Sequence, residues 1–279
     1  MGKFKVIHGT YHVKGFSPDG DSIRFVADVP AHWDFFRWST ASKKKAARKQ
    51  LRIEAIDALE THYLGYHQPR SFGVAALERM LAYLGISGLK YSLSVSVIVD
   101  AVDGTPGYIA SAGVDRYDRP VSFAFGEDDG LVDGAEVEVD ELPLEKSINY
   151  RLAKDGLVYP TFYTTTDPLV VHHFRTAVME ARQAYRGLWA IDRTPDFSLW
   201  DTRTIQDDVL ILPKLFRRIV SFFEARGDVA ELPAYLSQQK DRLKLWGGGA
   251  LTSLDQLVVI DNRRVRLSIP VEDLLFLPK

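Results

Sequence analysis

The sequence of 279 residues contains no cysteine. Disulfide bonds, thiolate nucleophiles and thiolate metal sites are therefore excluded, and cysteine usage gives no indication of the compartment. The sequence also has no run of about 20 apolar residues, so it predicts no membrane-spanning helix. Its N-terminal stretch, MGKFKVIHGTYHVKGF, alternates polar and apolar residues and lacks the continuous apolar segment of about 7–15 residues found in export signals. We therefore expect a cytoplasmic protein with no membrane partner.

The sequence also has no excess of positive charge, and its formal net charge is −2 at pH 7. Proteins that hold nucleic acid over a whole surface are usually basic, since phosphate attraction is the sequence-independent part of such binding. Any binding of nucleic acid must therefore depend on local charge. The most concentrated basic run, residues 43–45, continues to Arg48 and Lys49. Lys45 and Lys49 are candidates for binding a nucleic-acid substrate; the alternative is a solvated loop or helix face.

Patterns of apolar residues indicate an α+β fold in the first two thirds of the chain. The Asp19-Gly20 turn between two alternating runs predicts a hairpin. Strand-like runs separated by one helical run predict a five-stranded, partly open β-barrel of the OB type with a helix after the third strand. The predicted strands cover residues 5–16, 22–29, 51–56, 91–99 and 121–125, and the predicted helices cover 72–84, 148–156 and 172–186.

Residues 190–279 are predicted to form a smaller α+β unit of unknown role, separate from a domain over 1–189. The pattern is helical over 211–236, three glycines after Trp246 indicate a flexible joint, and two strands are expected within 256–277. The helical part carries an apolar stripe, which is either the core of this unit or a contact surface for a protein partner. The stripe consists of Leu212, Leu215, Phe216, Ile219, Phe222 and Phe223.

Acidic and basic residues recur at the ends of the predicted elements. Asp21 follows the hairpin turn, Asp57 and Glu60 follow the third strand, Arg52 lies within that strand and Arg119 ends a polar turn. Carboxylates repel one another, so a cluster is tolerated when a divalent cation that prefers oxygen ligands lies between them. Arginine forks match phosphate oxygens. Such a set suits phosphoryl transfer, although spacing alone does not distinguish it from solvated turn residues.

The order of the motifs closely resembles that of the staphylococcal nuclease (thermonuclease) family over about residues 3–189. Six motifs follow in the same order: DGDS at 19–22, LR at 51–52 leading to IDALET at 56–61, FG at 72–73, DRYDR at 115–119, Asn149 with KDGL at 154–157, and a segment from Glu180 to GLW at 187–189. The resemblance implies an OB barrel with three helices. It also implies calcium-dependent cleavage of DNA and RNA with little sequence preference, leaving 3′-phosphate ends.

The resemblance also implies roles for single residues. Asp21 and Asp57 are similar to the two carboxylate ligands of calcium, and the backbone carbonyl of Ala58 to a third ligand. Glu60 resembles the residue that holds the attacking water, as general base or as orienting group. The family's Asp-Thr-Pro-Glu is Asp-Ala-Leu-Glu here, so both carboxylates are kept although a hydroxyl is lost.

Arg52 and Arg119 match the two phosphate-binding arginines of the family. Tyr117 matches the aromatic residue in the turn before the second arginine. A tyrosine that packs against the nucleotide corresponds to Tyr163 or, with a slip of one residue, to Phe162. Residues 126–146, rich in Asp and Glu, resemble an insertion that shields or regulates the site.

One expectation concerns the third strand. Arg52 and Asp57 are five residues apart, so a regular strand would direct them to opposite faces. We therefore expect a bulge or a strand end between Ile53 and Asp57 that brings both side chains into one pocket.

Two functions fit the sequence. The first is a metal-dependent endonuclease acting on DNA and/or RNA, which the retention of all five charged residues favours. The alternative is a non-catalytic nucleic-acid-binding or scaffold module of the same fold.

Overall fold

The computed structural model describes residues 3–92, 97–126, 129–225 and 227–278. The chain divides into two compact units. Unit 1 consists of Met1–Glu54 and Ala76–Leu152, and unit 2 of Ala55–Ala75 and Ala153–Lys279. The sequence-based boundary at residue 189 does not separate these units, because residues on both sides of it belong to unit 2.

The regular elements are numbered in chain order. The strands are β1 Phe4–His12, β2 Ser22–Ala27, β3 Arg48–Ile53, β4 Ile56–Asp57, β5 Ser87–Tyr91, β6 Ile98–Val102, β7 Thr105–Val114, β8 Pro120–Phe125, β9 Glu136–Val137, β10 Tyr159–Pro160, β11 Phe162–Tyr163, β12 Phe197–Ser198, β13 Arg242–Leu245, β14 Thr252–Ser253, β15 Val258–Asp261, β16 Arg264–Leu267 and β17 Leu274–Phe276. The α-helices are α1 Ala41–Lys45, α2 Arg70–Tyr83, α3 Ile148–Lys154, α4 Pro168–Gln183, α5 Pro213–Glu224, α6 Leu232–Gln239 and α7 Leu254–Leu257. Short 3-10 turns cover Pro30–Phe35, Val139–Glu141, Leu144–Lys146, Gly187–Ala190, Val229–Glu231 and Val271–Asp273, and a π-helical turn covers Thr204–Asp208.

Unit 1 contains a closed β-barrel of five strands. The strands are joined in the cyclic order β1, β2, β3, β8 and β7, and β7 pairs with β1 again. All neighbours are antiparallel except β3 and β8, which are parallel. The predicted α+β fold with a five-stranded barrel is therefore confirmed, and the barrel is consistent with the OB type.

The barrel closes tightly around β1. A Cβ atom on Gly9 would lie 2.1 Å from the carbonyl oxygen of Val26, so only glycine fits where β1 crosses β2. Tyr11 is fully buried and its hydroxyl donates to the carbonyl oxygen of Tyr108, 2.6 Å away. Burial raises the pKa of the Tyr11 phenol.

The predicted fourth barrel strand was wrong. The strand in that place is β7, whereas β5 and β6 form a separate two-stranded hairpin. The run predicted over 91–99 overlaps both hairpin strands, and its residues 93–96 lie outside the described residues. β7 was missed because its sequence, TPGYIASAGV, is rich in small residues that carry little strand signal.

The expected interruption after the third strand is confirmed. β3 ends at Ile53 and β4 begins at Ile56, and between them Ala55 has a positive φ of 66°. The buried amide of Asn149 holds the end of β3 within unit 1. Its Nδ2 donates to the carbonyl oxygens of Glu54 and Ser122, at 2.9 and 3.0 Å, and its Oδ1 accepts from the amide of Ala124 at 3.0 Å.

Unit 2 contains the helices and small sheets of the C-terminal part. β4 pairs with β10, so that Tyr159 lies opposite Asp57. The helical run predicted over 211–236 is two helices, α5 and α6, with a break that includes Gly227. The predicted terminal hairpin is confirmed as β15 and β16, with Asn262 at a φ of 54° in the turn.

The predicted apolar stripe along α5 is buried except for Phe223, which is partly exposed. Leu215, Phe216 and Ile219 are fully buried and Phe222 is 3% exposed, which favours the interpretation of the stripe as core. Among the described residues, no helix combines the length and the apolarity needed to cross a membrane.

Candidate active site

Asp21 and Arg52 meet at one end of β2 and β3 in unit 1. Asp21 directly precedes β2, and the first residue of β2, Ser22, pairs with Arg52. The Arg52 Nη1 lies 3.9 Å from the Asp21 Oδ2, and Asp21 is only 8% exposed. The backbone fixes this corner, because the Ile53 amide donates to the Asp21 carbonyl oxygen at 2.9 Å.

Arg119 lies next to Arg52 in strand register. It immediately precedes β8, in which Val121 pairs with Arg52. Asp115 fixes the Arg119 side chain: its Oδ2 accepts from Nε at 2.8 Å and lies 2.7 Å from Nη2. A guanidinium held by two contacts loses little further freedom when it binds a phosphate. Thus the structure brings Asp21 and Arg52 together, and it places Arg119 two residues before the β8 residue that pairs with Arg52.

The turn before Arg119 exposes Tyr117. Asp115 Oδ1 accepts from the amides of Tyr117 and Arg119, both at 2.9 Å, and Asp118 takes a φ of 60°. Tyr117 is 58% exposed, and the guanidinium carbon of Arg116 lies 4.7 Å from the centre of its ring. An exposed aromatic ring is available for stacking on a base.

The two predicted lysines differ in their surroundings. Lys45 is exposed at the end of α1. Lys49 is 4% exposed; its ammonium donates to the carbonyl oxygens of Lys43 and Lys44 and lies 4.2 Å from the centre of the Trp38 ring. Burial lowers the pKa of Lys49 to about 8. The structure gives Lys49 a packing role, and substrate binding by either lysine stays a prediction.

Two further arginines lie on the strand face that carries Arg52. Arg48 and Arg52 alternate with the buried residues of β3, and Arg24 has the same orientation on β2. The guanidinium carbons of Arg24 and Arg48 lie 4.5 and 5.4 Å from the centre of the Phe16 ring. Within the described residues neither is paired with a carboxylate, and burial followed by the charge of Arg48 lowers the pKa of Arg24. This face is a local concentration of positive charge on a chain whose net charge is −2.

In unit 2, Asp57 and Glu60 converge on a residue that the sequence analysis missed, Arg217 of α5. Its Nη2 lies 2.7 Å from Asp57 Oδ2, its Nη1 lies 3.3 Å from Asp57 Oδ1, and Nη1 also donates to Glu60 Oε1. Asp57 is 1% exposed. Burial by itself lowers the pKa of Arg217, but the charges of Asp57 and Glu60 outweigh it and raise the pKa overall. The guanidinium therefore stays charged and offsets part of the negative charge of the two carboxylates.

The remaining predicted residues of unit 2 lie near these carboxylates in the chain. Ala58 follows β4 and is 4% exposed. Phe162 is fully buried, whereas Tyr163 is partly exposed. The resemblance allows either Phe162 or Tyr163 to match the nucleotide-packing tyrosine of the family. Of these two residues, only Tyr163 is accessible to a ligand.

The donors implied for calcium have suitable chemistry, because carboxylate and backbone carbonyl oxygens are the ligands that calcium prefers. The predicted ligands are divided between the units: Asp21 belongs to unit 1, and Asp57 and Ala58 belong to unit 2. Searching the described ranges finds no group of three or more His, Cys, Asp or Glu side chains placed to hold a metal. The positive charge that Asp57 and Glu60 require is provided by Arg217 in this structure.

No family model matches the sequence, and no curated protein matches it. The resemblance to staphylococcal nuclease therefore stays a prediction carried by the motifs. A signal for Arg217 was present in the sequence, because Lys214, Arg217 and Arg218 form a cationic face at helical spacing. That pattern did not indicate which carboxylates the face meets.

Proposed function

We propose that the chain is a calcium-dependent nuclease of the staphylococcal type that cleaves phosphodiester bonds of DNA and/or RNA. The observation that carries this proposal is the convergence of Asp57 and Glu60 on one positive charge. A buried carboxylate is stable only beside a compensating charge, so this pair is suited to holding a cation. In unit 1, the Arg52 guanidinium lies 3.9 Å from Asp21 and the Arg119 guanidinium is held by Asp115, and this pairing of arginines with carboxylates supports the same chemistry.

Each residue has a defined task in the proposed reaction. Asp57 and the Ala58 carbonyl of unit 2 would hold calcium, which when bound would polarise the phosphate, and Asp21 of unit 1 is the further ligand that the resemblance implies. Glu60 orients the attacking water or accepts its proton at a carboxylate oxygen. Arg52 and Arg119 bind the phosphate oxygens on which negative charge increases in the transition state.

Substrate binding is supported by the barrel. Arg24 and Arg48 share the Arg52 face of β2 and β3 and attract phosphates of a nucleic-acid strand without reading its sequence. Tyr117 stacks on a base or sugar from its exposed turn. Both features fit a nuclease with low sequence preference.

The proposal is tested by digestion of single-stranded and double-stranded DNA and RNA with calcium, with magnesium or with a chelator. Cleavage that needs calcium and leaves 3′-phosphate ends is the expected result. Purified protein that cleaves none of these substrates at any calcium concentration contradicts the proposal.

The second candidate function is a non-catalytic nucleic-acid-binding or scaffold module. It is favoured by the ion pairs of Arg217, because a guanidinium bound to Asp57 and Glu60 engages oxygens that a catalytic cation and a water need. Binding of oligonucleotides with no turnover, in the wild type and in a variant without Arg217, would support this alternative.

A further inference from the structure

One face of α5 runs along the segment 57–68 of unit 2. Arg217, Ser221 and Glu224 are spaced by four and three residues, so they lie on the same side of the helix. Their partners follow in the same order along the segment. Arg217 binds Asp57 and Glu60, Ser221 shares a hydrogen bond of 3.0 Å with the Tyr63 hydroxyl, and Glu224 accepts from the Tyr66 hydroxyl at 2.6 Å.

The segment is also fixed at the N-terminal end of α5. Gln68 is 1% exposed, and its Nε2 donates to the carbonyl oxygen of Ile211 at 2.7 Å. Its Oε1 accepts from the backbone amide of Glu60 at 3.1 Å. Glu60 is therefore held twice, through its carboxylate by Arg217 and through its amide by Gln68. The three contacts of Arg217, Ser221 and Glu224 follow the order of the segment, and Gln68 closes it back onto Ile211 before α5, so we call the helix and the segment together the clamp.

The central contact of this clamp uses the oxygens that calcium would need. Arg217 forms a two-point pair with both oxygens of Asp57, and the Asp57 side chain is 2% exposed. A cation cannot approach Asp57 closely while the guanidinium occupies both oxygens, and like charges at this distance repel strongly in a buried setting. Occupation by Arg217 and occupation by calcium therefore exclude each other.

We propose that Arg217 competes with calcium for Asp57 and with the attacking water for Glu60, so that α5 restrains the site until a cation releases the clamp. The assignment of calcium to Asp57 and of water to Glu60 rests on the proposed function. Coupling of this kind is reciprocal: any change that weakens the contacts between α5 and the segment strengthens calcium binding, and calcium binding loosens those contacts.

The test is a calorimetric titration of the full chain with calcium alone, without nucleic acid. The Arg217→Met variant lacks the positive charge but keeps much of the side-chain volume. The dissociation constant of this variant for calcium should be roughly tenfold or more below that of the wild type. Arg264→Gln is the matched control, because it removes one arginine charge from unit 2 at an exposed pair with Asp196. The control should bind calcium as the wild type does.

A second variant covers the case in which Arg217→Met does not fold. Tyr63→Phe combined with Tyr66→Phe removes two hydrogen bonds to α5 and leaves the ion pairs in place. Its affinity for calcium should rise roughly threefold or more. Calcium should also accelerate hydrogen exchange of wild-type amides in 63–68, because the clamp opens when the cation binds.

The outcomes separate this inference from the proposed function. Tighter calcium binding by the variants without any cleavage upholds the competition and contradicts the nuclease. Cleavage with unchanged or weaker calcium affinity in the variants overturns the competition and leaves the nuclease standing. Absence of calcium binding in both wild type and Arg217→Met overturns the competition as well.

Discussion

Arg217 and Asp57 are 160 residues apart in the sequence and form a two-point ion pair with a shortest contact of 2.7 Å. The carboxylate implied as a calcium ligand is thus stabilised by a helix from the C-terminal part of the chain. Removal of that helix leaves a buried carboxylate without this partner, which is among the more destabilising changes in a protein.

Truncation after Trp189 should therefore prevent unit 2 from folding. The deletion removes α5 and also β17, which pairs with β11. Soluble expression and far-ultraviolet circular dichroism of residues 1–189 measure this outcome. A truncated protein that is soluble, folded and binds calcium like the full chain would instead support an independent C-terminal module.

Glu60→Gln and Arg119→Ala should each reduce the cleavage rate by a factor on the order of 100 or more, because one orients water and the other balances charge in the transition state. The measurement is the initial rate on a single-stranded oligonucleotide at saturating calcium. Arg116→Ala is a suitable control, because it removes an arginine from the same turn outside the proposed set. Equal losses in all three variants would point to a defect of folding rather than of catalysis.

Replacing Arg24 and Arg48 together by glutamine should weaken oligonucleotide binding and flatten its salt dependence. Loss of two phosphate contacts reduces the slope of log affinity against log salt by ~1.4 for a single strand. Fluorescence anisotropy in a chelator measures binding without cleavage. The control is the double variant Lys14→Gln and Lys90→Gln, which removes two positive charges from residues that pair with Asp100. If the salt dependence of the control flattened equally, the Arg24 and Arg48 positions would have no special role in binding.

Asn149→Ala should lower the free energy of unfolding by roughly 3 kcal/mol, because it leaves buried backbone groups at the ends of β3 and β8 without a partner. Denaturant titration followed by tryptophan fluorescence gives this value. Asn149→Asp keeps the acceptor for the Ala124 amide and loses the donors, so comparison of the two variants separates the contributions. A loss below roughly 0.5 kcal/mol, which is about the uncertainty of such experiments, would mean that water can replace the amide.

The buried Lys49 predicts a specific pH dependence. Its folded pKa of about 8 is below the ordinary value of 10.5, so the unfolded chain binds more protons between these values. Stability should therefore rise as the pH increases from 8 to 10.5, because this residue loses its extra proton in the unfolded chain over that range. The difference in unfolding free energy between wild type and Lys49→Met isolates the effect. A difference that is constant over this range would show that the ammonium is not desolvated in solution.

Features encoded in neighbouring residues were predictable from the sequence. The hairpin of β1 and β2 follows from two alternating runs around a turn, and α2 from apolar spacing. Even the break after β3 could be inferred, because the five-residue spacing of Arg52 and Asp57 conflicts with a regular strand. β7 was not predictable, since its small residues give no alternation that stands out from a loop.

Contacts between distant residues could not be inferred in this way. Helical spacing predicts the polar face of α5. The contact of this face with Asp57 depends on the tertiary structure, because Arg217 and Asp57 are 160 residues apart in the sequence. Similarly, the sequence shows Lys49 only as one member of a basic run. Its burial against Trp38 could not be predicted, because it depends on the path of the chain between β2 and β3. The type of a side chain determines which interactions it can form, and the tertiary structure determines with which residue it forms them.

Neither compact unit is a continuous stretch of sequence, and this has a consequence for biosynthesis. Residues 55–75 of unit 2 are made before the second half of unit 1, and the rest of unit 2 follows only from residue 153. At about 5–20 residues per second, Asp57 leaves the ribosome roughly 10–30 s before Arg217. The segment that carries Asp57 is thus synthesised well before the helix that pairs with it, and unit 2 cannot be completed until residues after 153 have been made.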